Sequence, residues 1–76
     1  MNQVELLDAN GYVVATATHY CVPDANVAAV EARLLADTAP KDAEDQSRYS
    51  ERRYYASEYR TRVAPMTVGA VLAQAA

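Results

Sequence analysis

Asn10-Gly11 lies between two stretches of strand-like sequence, Val4 to Asp8 and Tyr12 to Tyr20, and the pair suits the positive backbone angles of a two-residue type I′ hairpin turn. A chain that opens on a hairpin must cover one face of it, which constrains everything downstream. The two-residue turn pairs Leu6 with Ala15 and Val4 with Ala17, so one face carries Val4, Leu6, Val13, Ala15 and Ala17. The alanines on that face let a helix approach the sheet closely. Glu5, Leu7, Tyr12, Val14, Thr16, Thr18 and Tyr20 fall on the opposite face, which reads as half wet.

Past Pro23, the Asp24 carboxylate is placed to accept hydrogen bonds from the unpaired amides of a helical first turn. Val27, Val30 and Leu34 then recur at helical spacing, with Ala28 and Leu35 widening the stripe and Glu31 and Arg33 off its centre. The helix is expected to stop near Asp37, because Pro40 disfavours helical geometry at Ala39. A polar connection follows from Thr38 to about Ser50, with room for a helical turn. From Tyr54 to Val63, the residues Tyr55, Ser57, Tyr59, Thr61 and Val63 alternate with Ala56, Glu58, Arg60 and Arg62, which favours a strand. Helix is the competing reading, since Tyr55, Tyr59 and Val63 also repeat every fourth residue. After Pro65, Thr67 can cap a closing helix through Val68, Val71, Leu72 and Ala75.

The expected fold is therefore a single α+β domain, a two-layer ββαβα arrangement. The first strand is central in a three-stranded sheet, the third strand antiparallel to it and parallel to the second, and two helices cover one face. The alternative is an N-terminal β-hairpin followed by helices. With 76 residues, one core is the ceiling. Ala supplies 16 residues, while Phe, Trp and Ile are absent, so that core must rest on Val, Leu and Tyr. A domain of this size has a thin stability margin, which leaves a homodimer open.

The formal net charge of -3 opposes a general affinity for phosphate backbones. The charge is unevenly spread: residues 1–45 hold eight acids against Arg33 and Lys41, whereas residues 46–76 hold five Arg against Glu51 and Glu58. This polarity suits self-association. A single cysteine, Cys21, fits a reducing compartment, no apolar run approaches the roughly 20 residues of a membrane span, and Met1 to Glu5 lack the head of a secretory signal. The expected location is cytoplasmic, with no membrane partner. Arg outnumbers Lys six to one, and with the alanine content this points to a GC-rich source, bacterial or phage.

Catalytic and cofactor chemistry find little footing. His19 and Cys21 share a strand face near Tyr20 and Asp24, but no orienting third group accompanies them, so Cys21 reads as a small apolar residue and His19 as a strand-end residue. Two such side chains do not make a four-ligand zinc site. Gly11 and Gly69 form no phosphate loop, and Asp42, Glu44 and Asp45 read as solvated. No cofactor and no enzymatic activity are expected.

The unusual feature is the concentration of Arg48, Tyr49, Arg52, Arg53, Tyr54, Tyr55, Tyr59, Arg60 and Arg62. Tyr and Arg dominate protein-binding hot spots, because they bring large contact areas and directed hydrogen bonds. The same residues can stack on bases and clamp phosphates, so nucleic acid is the weaker alternative partner, disfavoured by Glu51 and Glu58 within the segment. The expected function is a small protein-binding module, an adaptor or inhibitor. A Cys21/His19 enzyme stands third.

Overall fold

The computed structural model describes residues 2–17 and 22–65. Strands β1 (Asn2–Leu7), β2 (Val13–Thr16) and β3 (Arg60–Pro65) form one antiparallel sheet in the order β2-β1-β3. The central strand is the first in sequence, and the two outer strands run parallel to each other, as the sequence implies. The connection from β2 to β3 therefore has to cross β1, and a helical run of 25 residues, Asp24–Arg48, does so. His19, Cys21 and the closing helix expected from Thr67 lie outside the described residues.

The hairpin turn differs from the type I′ expectation. That type needs two residues at positive φ, and Gly11, at 87°, is the only one among the described residues. The Gly11 amide instead donates to the Asp8 carbonyl (3.0 Å), and the Asp8 amide donates to the Tyr12 carbonyl (2.9 Å), closing a three-residue loop. The Asp8 carboxylate accepts from the Asn10 and Tyr12 amides, each at 2.9 Å, and so competes for the amides that a tight turn would use. The expected pair Leu6 with Ala15 still forms, but Leu7 pairs with Val13, which leaves a bulge at Val14. The bulge exchanges the faces of two valines. Val14 packs against the core and Val13 is exposed, the reverse of strict alternation.

The helix corrects a larger expectation, because it passes through Pro40. It begins as a 3₁₀ turn (Asp24–Asn26), continues as α1 (Val27–Arg33), widens into a π segment (Leu34–Thr38) and resumes as α2 (Ala39–Arg48). In an uninterrupted α-helix, the ring of Pro40 would clash with the carbonyl four residues back. The wider turn, in which the Ala39 amide donates to the Leu34 carbonyl, places one extra residue just before it. Buried positions accordingly step from Leu34 to Ala39 to Ala43, five residues and then four. Asp24 makes no capping bond with its side chain, since its carboxylate accepts from the Asn2 amide. That bond holds the Asp24 carboxyl below its usual range.

Val4 and Leu6 of β1, Val22, Leu34, Ala39, Ala43 and Tyr59 form the core. Ala39 and Ala43 are the residues of α2 that enter this core, small side chains of the kind that allow close packing. The expected strand from Tyr54 to Val63 is confined to Arg60–Pro65, preceded by a 3₁₀ turn at Ala56–Glu58. Pro65 does not break the segment but belongs to β3, paired opposite Asn2. The sheet face away from the helix carries Glu5, Leu7, Arg60 and Arg62, with Glu5 opposite Arg62 and Leu7 opposite Arg60.

Candidate functional site

Ser47 governs the return of the chain after α2. Its hydroxyl donates to the Ala43 carbonyl and accepts from the Tyr54 amide, both at 2.7 Å, and so pins Tyr54 beside the helix. Glu58 sets the next turn, where its carboxylate accepts from the Tyr55 amide (3.0 Å) and pairs with Arg52. Residues Arg53 to Ala56 thereby stand off from α2, leaving a groove of about 540 Å³. Pro40, Ala43, Glu44, Ser47 and Arg48 line its helix side, and Arg53, Tyr54, Tyr55 and Ala56 the other.

The Arg/Tyr concentration divides among three environments. Around the groove, the Arg52 guanidinium lies 4.6 Å from the centre of the Tyr54 ring, and that of Arg53 lies 5.7 Å from the centre of Tyr55. Tyr55 is 57% exposed and Tyr49, just past α2, 83%. Arg60 and Arg62 lie elsewhere, on the sheet face away from the helix, where Arg62 reaches Glu5 at 2.9 Å. Tyr59 is only 6% exposed and belongs to the core. Its ring is unavailable to a partner.

Own-chain acids neutralise three of the arginines: Glu44 meets Arg48 at 3.3 Å, Glu58 meets Arg52, and Glu5 meets Arg62. Arg53 and Arg60 make no ion pair among the described residues. The Tyr54 hydroxyl accepts from the Asn10 side-chain amide at 3.4 Å, linking the groove wall to the hairpin. That bond holds its phenol below the usual range against the effect of burial, with Arg52 assisting.

A polar network joins the hairpin, the helix and Tyr59, the residue just before β3. The Gln46 amide nitrogen lies 2.7 Å from Asp42, 3.1 Å from Asp8 and 3.2 Å from the Tyr59 hydroxyl, which itself donates to Asp42. Asp42, Glu44 and Asp45 therefore do not converge as a carboxylate cluster. They sit on α2 rather than in a loop, Asp42 turned toward Tyr59, Glu44 toward Arg48, and Asp45 exposed.

Asp8 is almost fully buried. Burial pushes its carboxyl up, but hydrogen bonds from the Tyr12 amide, Gln46 and the Asn10 and Gly11 amides outweigh that and leave it below the ordinary value. The stability this contributes is complete above the unfolded carboxyl value of about 3.9 and is lost as pH falls through the lower folded value. Asp8→Asn is expected to melt lower than wild type at neutral pH and to show a shallower decline in acid. Thermal unfolding by circular dichroism across the acid range checks this, and parallel acid limbs would remove Asp8 from the account.

Sequence reasoning missed Pro40, Ala43, Glu44, Ser47 and Ala56 as groove residues. The spacing of Pro40, Ala43, Glu44 and Ser47 is that of one helical face, a signal hidden by reading Pro40 as a stop. Among the described residues, no helix is long and apolar enough to cross a membrane. The chain matches no protein-family model, and no characterised protein or solved structure shows significant similarity to it.

Proposed function

We propose that the chain is a non-catalytic protein-binding module, an adaptor or inhibitor acting in the cytoplasm, that receives its partner in the groove between α2 and residues 53–56. The observation that carries this reading is Arg53, whose guanidinium has no carboxylate partner among the described residues and stacks on the exposed Tyr55 at the groove. An Arg and a Tyr held side by side in a groove also lined by Ala43 and Ala56 have the composition of an interface anchor. The neutralisation of Arg48, Arg52 and Arg62 by Glu44, Glu58 and Glu5 argues against a track for phosphates.

Affinity capture with the immobilised protein tests the reading. Arg53→Ala and Tyr55→Ala are each expected to lower partner affinity at least about tenfold, the size of a hot-spot loss. Tyr12→Ala, an exposed ring in the hairpin loop and away from the groove, should leave capture intact. Equal capture by both groove variants would remove the groove from consideration. Material that disappears after nuclease treatment would transfer the proposal to nucleic acid.

A further inference from the structure

Arg33, Asp37, Lys41 and Asp45 recur every fourth residue along one flank of the helix, and all four are exposed. None makes an ion pair or side-chain hydrogen bond among the described residues, although neighbours in the series carry opposite charges. The order of the charges explains this. A pair four residues apart is more favourable with the acid on the N-terminal side, as in Glu44–Arg48, which closes at 3.3 Å. Arg33 with Asp37 and Lys41 with Asp45 have the less favourable order, and Asp37 with Lys41 straddles the junction from the π segment to α2. Four solvated charges therefore run plus, minus, plus, minus.

Reversed end for end, that series reads minus, plus, minus, plus, so the flank is complementary to itself. We propose that a second copy of this chain docks antiparallel along it, about a two-fold axis that crosses the exposed flank midway between Asp37 and Lys41. Arg33 then faces Asp45 of the second copy and Asp37 faces its Lys41, with both pairs repeated across the axis. Such a contact is isologous and closes as a dimer.

A separate feature agrees with the register. The same alignment sets Tyr49 opposite Ala29 of the second copy. Tyr49 is the most exposed ring among the described residues, at 83%. Asn26, Ala29, Val30 and Arg33 line a depression of about 220 Å³, large enough for a phenol ring. Each copy supplies one ring and one depression, so the alignment fills two. Asp37, Lys41 and Tyr49 do not line the groove assigned to the protein partner, and the two surfaces are separable.

Sedimentation of the full chain at low ionic strength tests the proposal, with circular dichroism confirming the fold of each variant. Wild type is expected to dimerise reversibly, and less so as salt is raised. In Asp37→Lys the introduced lysine faces Lys41 of the second copy, and in Lys41→Glu the introduced glutamate faces its Asp37. Each variant alone should associate at least tenfold more weakly than wild type, whereas an equimolar mixture of the two restores both contacts and should recover the dimer. Tyr49→Ser should weaken association without altering this charge dependence. A wild type that stays monomeric at millimolar concentration, single variants that dimerise like wild type, or a mixture that stays monomeric would each overturn the proposal. Partner capture through Arg53 and Tyr55 by the monomeric Asp37→Lys variant separates this result from the groove reading.

Discussion

Leu6→Ala is expected to lower the stability of the fold by about 3–5 kcal/mol, near the upper end of the range for leucine truncations. Leu6 is fully buried on the central strand, with Ala15 opposite it on β2 and Thr61 on β3. The cost of such a truncation depends on how far neighbours can collapse into the space. Here Ala15, Ala39 and Ala43 have no side-chain length with which to reach inward, and β1 is held between two strands. A domain of this length has about 4–11 kcal/mol in all at the usual 0.05–0.15 kcal/mol per residue. The variant should therefore melt lower by about 12 °C or more, at about 4–8 °C per kcal/mol. Leu35→Ala is the matched comparison, because Leu35 is 37% exposed and outside the core cluster. Its melting temperature should change far less, and an equal loss in the two variants would refute the assignment of Leu6 as the centre of packing.

The same small residues explain which parts of the fold were legible in the sequence. The hairpin and its Leu6–Ala15 pair follow from alternation on either side of a turn dipeptide, and β1 is central because both outer strands need its edges. Periodicity is blind to a single inserted residue, and the described residues contain two such insertions. One is the bulge that turns Val14 inward and Val13 outward, a consequence of Asp8 drawing the Asn10 and Tyr12 amides into a three-residue loop. The other is the π segment, which delays the core stripe from Leu34 to Ala39 and carries the helix past Pro40. A helix-terminating rule applied to Pro40 assumes an α-helical turn before it, and that condition fails here.

The candidate site was legible as composition but not as geometry. Arg and Tyr residues adjacent in the chain were read as one patch, yet β3 takes Arg60 and Arg62 to another face and Tyr59 into the core. Arg48 could have been subtracted from the sequence, because Glu44 precedes it by four residues in the favourable order. The pairing of Arg62 with Glu5 could not, because it spans nearly the whole described chain and depends on the register of β1 with β3. What survives as an available guanidinium beside the groove, Arg53, is defined by the acids that do not reach it. That is a property of the fold.

Tyr59 places the second large effect in the core, where its hydroxyl reaches the polar network of Asp42 and Gln46. Its ring packs in the core while its hydroxyl donates to Asp42 and accepts from Gln46, and burial together with the Asp42 carboxylate pushes the phenol well above its usual range. Two substitutions separate these roles. Tyr59→Phe keeps the ring and leaves Gln46 bonded to Asp42 at 2.7 Å, so the loss is that of the hydroxyl's bonds to Asp42 and Gln46, about 1.5–3 kcal/mol and dominated by the charged acceptor. Tyr59→Ala also empties the ring's place under α2, and the expected loss rises to about 3–5 kcal/mol, as for other large aromatic truncations. Because Gln46 also reaches Asp8, and Asp8 fixes the hairpin loop, the alanine variant should in addition loosen residues 8–12. Urea unfolding measures the first effect, and amide hydrogen exchange at Asn10 and Tyr12 the second. Equal losses for phenylalanine and alanine would mean that the hydroxyl network, and not the ring, holds the chain entering β3 to the helix.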